Sequence, residues 1–140
     1  MIYMLLTNGF EDIEAIETLD IIRRAGLPIK TAGVESRLVI SSHNVTVSAD
    51  IMIDEIDTED MEMLILPGGP GHTAFNDSKD VQNLIRLAFS KECYICAICA
   101  SPSVIGKMGL LDGKKYTCFP GFEEIIPNGI HLNDKAVTDG

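Results

Sequence analysis

Tyr94-Ile95-Cys96-Ala97-Ile98-Cys99-Ala100-Ser101-Pro102 is a short apolar run that stops at a helix start. A continuous apolar run of this length reads as a strand buried on both faces, the kind found inside a parallel sheet. Pro102 suits the first turn of a helix over Ser101 to Met108, which Gly109 closes. Strand, tight turn, helix is the unit from which α/β folds are assembled, and Cys99 falls on the turn.

The rest of the chain repeats the pattern. Ile2 to Leu6 and Met63 to Leu66 are further buried-strand runs. From Glu11 to Ala25, Ile13, Ile16, Leu19 and Ile22 recur every third residue as an apolar stripe. Acids fill the first turns, Arg23 and Arg24 the last, and Gly26 follows, so a helix is predicted there. Ser78 to Ser90 predicts a second helix, with Ser78 as its cap and Val81, Leu84, Ile85, Ala88 and Phe89 facing the core. Leu38 to Asp50 alternates on either side of His43-Asn44 and predicts a hairpin. The order implies an α/β domain with a mostly parallel sheet, whose sites belong at the carboxyl ends of its strands.

Length and charge narrow the function. With 140 residues, one domain with a proper core is expected. The formal net charge is -10, with no Lys or Arg between Arg37 and Lys79, which argues against nucleic acid and an anionic membrane surface. The apolar start lacks the basic flank of a signal peptide, so a cytoplasmic protein with reduced thiols is expected. The acidic run from Asp50 to Glu62 has no calcium-loop spacing and reads as a solvated loop.

Cys93, Cys96 and Cys99 are equally spaced, but a strand alternates its side chains, so the three cannot converge on one metal or cluster. Cys93, Cys96 and Cys118 read as small buried apolar residues. Cys99 differs by position: at a strand-to-helix turn, free amides and the helix end are expected to stabilise a thiolate and lower the thiol pKa. Glu14 on the first helix is the candidate acid or base, partly buried beside Ile13 and Ile16, with a raised pKa. His72 follows the loop Pro67-Gly68-Gly69-Pro70-Gly71 and is a possible auxiliary base; His43 and His131 read as surface residues. That loop matches no nucleotide-binding fingerprint, yet its amides can approach an oxyanion.

Asn8-Gly9-Phe10-Glu11-Asp12-Ile13-Glu14, Leu66-Pro67-Gly68-Gly69 and Ala97-Ile98-Cys99-Ala100-Ser101-Pro102 resemble the signature segments of the ThiJ/PfpI superfamily. The branch of the parkinsonism-associated protein (DJ-one) is the most similar, and Arg23-Arg24-Ala25-Gly26 and the hairpin at 38–50 extend the resemblance. It implies a flavodoxin-like, class I glutamine amidotransferase-like three-layer sandwich, a homodimer, Cys99 as nucleophile on an elbow, and Glu14 as its proton partner. It also implies an oxyanion hole from the Gly69 and Ala100 amides, with no metal or organic cofactor. Three positions depart from the pattern. Ala100 stands where the protease-like branch has His, Phe119 precedes Pro120 where many relatives have His, and His43 replaces a hairpin arginine. The family chain also continues through another strand and helix, whereas this sequence stops at the turn-like Asp139-Gly140, so a single domain lacking its C-terminal end is expected.

The leading functional expectation is a cofactor-independent cysteine enzyme of the stress response, acting on small reactive carbonyls in a glyoxalase-like or deglycase-like way. The alternative is a cysteine redox sensor or stress chaperone without turnover, in which Cys99 is oxidised to sulfinate. A weaker third is a thiol hydrolase, peptidase or amidotransferase-like protein using His72.

Overall fold

A computed structural model describes residues 1–140. Its strands are β1 (Ile2–Leu6), β2 (Ile29–Gly33), β3 (Leu38–Ile40), β4 (Thr46–Ser48), β5 (Ile51–Met52), β6 (Met63–Leu66), β7 (Tyr94–Ala97), β8 (Lys115–Tyr116) and β9 (Ile130–His131). The helices are α1 (Asp12–Arg24), α2 (His72–Asp77), α3 (Lys79–Ser90) and α4 (Pro102–Lys107). The central sheet runs β5-β2-β1-β6-β7, and every pairing within it is parallel.

Alternation along β1 builds the three layers. Tyr3 and Leu5 join Leu64, Leu66 and the α3 residues Val81, Leu84, Ile85 and Ala88 on one face. Ile2, Met4 and Leu6 join Ile65, Phe10 and the α1 residue Ala15 on the other. Both long helices begin where capping chemistry places them. The Glu11 carboxylate accepts the Glu14 amide at 2.8 Å, and the Ser78 hydroxyl accepts the Val81 amide at 3.3 Å. The predicted hairpin is the antiparallel pair β3–β4, with Asn44 in a left-handed conformation (φ 64°) at its turn.

Several expectations are corrected. In α1, Ile13 is 66% exposed and Ile16 is also exposed, whereas Ala15 is buried. A helix turns about 100° per residue, so a three-residue repeat drifts and sets Ile13 roughly half a turn away from Ile22. The face that meets the sheet carries Glu14, Ala15, Leu19 and Ile22. Phe89 is exposed rather than packed, and His131 is half-buried beside Tyr116 rather than on the surface. β7 is not covered on both faces; it is the edge strand, with Tyr94 and Cys96 exposed. β2 was missed because Ile29-Lys30-Thr31-Ala32-Gly33 is no apolar run, although all but Lys30 are buried.

The acidic run, expected to be a loop, begins with the short strand β5 and a 3-10 turn at Ile53–Glu55, and several of its charges are engaged. Asp50 accepts from Thr31 and pairs with Arg23 at 2.6 Å, and Glu55 pairs with Arg37 at 2.6 Å. No helix is long and apolar enough to cross a membrane.

Candidate active site

The carboxyl ends of β1, β6 and β7 lie side by side, and the loops leaving them are stitched together by backbone hydrogen bonds. The Glu11 amide donates to Gly68 O at 3.0 Å, and the Gly71 amide donates to Gly9 O at 3.0 Å. The Ser101 hydroxyl, fully buried, donates to Pro67 O at 2.6 Å, tying the β7 turn to the β6 loop.

Cys99 sits on that turn in the left-handed region, φ 61°. An L-residue adopts this conformation at a cost of about 1–2 kcal/mol, so the surrounding bonds must hold it there. They do so from both sides. The Phe119 amide donates to Cys99 O at 2.8 Å, and the Ser101 amide closes the turn onto Ile98 O at 3.0 Å. The sulfur is lifted into an open cavity of about 750 Å³, bordered by Glu14, Tyr94, Cys96, Pro102 and Cys118.

Four residues gather around Sγ. The Gly69 and Ala100 amides and the Glu14 carboxyl act on its charge. The fourth is Gly68, where a β-carbon would overlap Cys99 Cβ and lie 2.5 Å from Glu14 Oε2. Only glycine permits this approach, and the Gly68 amide uses it to donate to Glu14 Oε2 at 2.8 Å. Glu14 is thus aimed from α1 across the β6 loop at the sulfur.

The electrostatics correct one sequence expectation. Burial pushes the Cys99 thiol up, and the Glu14 carboxylate adds to this, outweighing the amides of Gly69 and Ala100 that favour the thiolate. The helix end was expected to win, but α4 is only six residues long and opens on a proline that has no amide to offer. Burial also holds the Glu14 carboxyl above its ordinary value, with Glu11 pushing the same way, against the Gly68 amide and the contact with Cys99. Burial therefore favours the protonated form of both groups.

His72 begins α2 and does not line the Cys99 cavity. Its Nδ1–H donates to Gly69 O at 2.9 Å, and its ring packs edge-on against Phe122, 5.3 Å between centroids. His43 Nδ1 pairs with Asp12 at 2.9 Å, joining the hairpin to α1. Cys93 donates to Met61 O from the core side of β7, and Cys96 is exposed, so the evenly spaced cysteines do not converge. The part played by Gly68 and Ser101 escaped the sequence reading; the signal was the doubled glycine after Pro67, where two glycines imply two close approaches.

The chain matches the model of the DJ-1/PfpI family over residues 1–140. It belongs to that family. Protein dj-1beta of Drosophila melanogaster is 32% identical over 96% of this chain and 74% of its own length. Protein DJ-1 homolog B of Arabidopsis thaliana is 31% identical over 96% of this chain, which spans only 32% of that longer protein. A protein named a deglycase from Pyrococcus horikoshii is 28% identical over 99% of this chain and 85% of its own. Among solved structures, a cysteine-to-alanine mutant of a DJ-1 superfamily protein from Salmonella typhimurium superposes with a TM-score of 0.94 at 33% identity, covering 99% of this chain and 77% of that one. The flavodoxin-like α/β fold with a parallel central sheet is therefore common to this chain and its family.

Proposed function

We propose that this chain is a cofactor-independent cysteine enzyme that converts small reactive carbonyls, with methylglyoxal as the model substrate. The observation that supports it best is the convergence of the Gly69 and Ala100 amides and the Glu14 carboxyl on one strained, solvent-reached thiol. The similarity to a protein named as a deglycase favours the same chemistry.

In this reading Cys99 Sγ forms a bond to the aldehyde carbon, and the carbonyl electron pair moves onto oxygen. The Gly69 and Ala100 amides hold that oxyanion while the thiol's own proton, passed through Glu14, neutralises it, giving a hemithioacetal. Glu14 then takes the proton from the former aldehyde carbon and returns it to the adjacent carbon, while the hemithioacetal hydroxyl proton moves to the neighbouring ketone oxygen, which becomes the alcohol. The product is a thioester, which water hydrolyses to lactate and free Cys99. One water enters overall and nothing is oxidised or reduced in net.

The test is conversion of methylglyoxal to lactate without glutathione, followed by proton NMR. Steady formation of lactate is expected, and its absence at micromolar protein would overturn the reading.

A redox-sensing role is favoured by one feature: a carboxyl held above its ordinary value keeps a proton with which to bond a sulfinate oxygen on Cys99. Peroxide treatment and peptide mapping should then add two oxygens at Cys99 ahead of the other cysteines. A homodimer is also inferred, with the exposed Ile13 of α1 in its interface. Light scattering should report a dimer for the wild type and a monomer for Ile13→Asp; an unshifted dimer in the variant would remove that face from the interface.

A further inference from the structure

Three residues outside the Cys99 constellation present metal-binding atoms to one another. The Cys118 sulfur, a Glu123 carboxylate oxygen and a His131 ring nitrogen all lie within 4.8 Å of each other. They come from three separate segments, each fixed by its own contacts. His131 is in β9, paired with Tyr116 of β8, and its ring rests on that buried tyrosine with centroids 5.4 Å apart. Cys118 follows β8 by two residues and is held where the Phe119 amide binds Cys99 O. Glu123 lies in a single 3-10 turn, Phe122–Ile125, entered through Gly121 at φ 95°, and the Gly121 amide donates to Glu123 Oε2 at 2.6 Å.

We propose that Cys118, Glu123 and His131 form a binding site for a zinc-class divalent cation beside the Cys99 cavity. The donor set is one thiolate, one imidazole and one carboxylate, which matches a borderline-soft ion and not magnesium or calcium, whose ligands are oxygen. Zinc bonds of about 2.0–2.3 Å set tetrahedral ligands roughly 3.5 Å apart, so side-chain rotation of about 1 Å closes the site without moving the backbone. The Gly121 amide donates to Glu123 Oε2, the same oxygen that lies 4.0 Å from Cys118 Sγ, and so fixes the carboxylate beside the sulfur as outer hydrogen bonds orient ligands in zinc sites. Three protein ligands leave a fourth position, and Cys118 borders the cavity through which an ion and water enter. Binding displaces the Cys118 proton to solvent, with no change of oxidation state.

The other acid and histidine group, Glu11, Asp12 and His43, is already used as a clamp between α1 and the hairpin. No sequence motif announces the Cys118 site, since four residues separate Cys118 from Glu123 and seven separate Glu123 from His131.

The test is titration of the full chain with Zn²⁺ by calorimetry in buffers of different ionisation enthalpy, with Co²⁺ as the optical probe. Expected are one ion per chain, proton release, and a thiolate-to-cobalt charge-transfer band. Cys118→Ser should abolish the band and His131→Ala should abolish or greatly weaken binding, while Cys99→Ser leaves both unchanged. Absence of binding, a band that persists in Cys118→Ser, or a band lost in Cys99→Ser would each overturn the proposal. Circular dichroism of each variant separates loss of ligand from loss of fold, and Glu123→Gln, which keeps the side chain's size and should weaken binding, provides a third ligand substitution if either of the others fails to fold.

Discussion

Gly68 passes so close beneath Cys99 that a β-carbon built on it would lie 3.1 Å from Sγ and 2.5 Å from the Glu14 oxygen that its own amide binds. Gly68→Ala must therefore push the acid, the thiol, or both, out of line. A displacement of about 1 Å in a catalytic group costs roughly 100-fold in rate. Gly68→Ala should lower kcat/KM for methylglyoxal by about that factor while circular dichroism stays unchanged; activity within a few-fold of the wild type would show that the close approach is incidental.

The left-handed turn at Cys99 is strain held for the sake of the sulfur, and it should be visible in stability. Glycine takes φ 61° freely and alanine does not. Cys99→Gly should be more stable than Cys99→Ala by about 1 kcal/mol in urea unfolding. Equal midpoints, or a more stable alanine variant, would mean that the turn is unstrained.

Burial of Glu14 gives a pH dependence of known sign. Its folded-state pKa is raised above the ordinary 4.5, so the folded state holds a proton that the unfolded chain has lost. Stability from this group is thus greatest below about 4.5 and declines as pH rises through the folded value. Glu14→Gln has no such proton, and its stability relative to the wild type should grow as pH climbs above 4.5 and then level off. A difference that does not change with pH would contradict the burial.

Asp12 should behave in the opposite sense. The Ser41 hydroxyl and then His43 hold its carboxyl down at about 2, below the usual 3.8. A depressed carboxylate contributes stability that is complete above 3.8 and disappears as pH falls toward 2. The wild type should be more stable than Asp12→Asn at neutral pH, with the gap closing over that acid window.

The parts of the fold that were legible were those in which one local signal decides. β1 and β6 are continuous apolar runs, and α1 and α3 announce themselves through Glu11, Ser78 and Gly26. The turn at Cys99 could be read because Pro102 fixes where the helix begins. β2 was illegible because its burial comes from the sheet around it and not from its composition. The exposure of Ile13 followed from a three-residue spacing that looks like a stripe in sequence but winds around the helix. The direction of the Cys99 shift depends on how burial, a facing carboxylate and two amides balance, which no motif encodes. Cys118 and His131 meet because β8 and β9 pair, and Glu123 reaches them from the turn entered at Gly121.

The central claim is that Cys99 makes the bond to the carbonyl and Glu14 moves its proton. It is tested most directly by glutathione-free conversion of methylglyoxal to lactate in the wild type, Cys99→Ser and Glu14→Gln, side by side. Lactate from the wild type and none above background from either variant is the predicted result; undiminished turnover by Cys99→Ser would contradict the account.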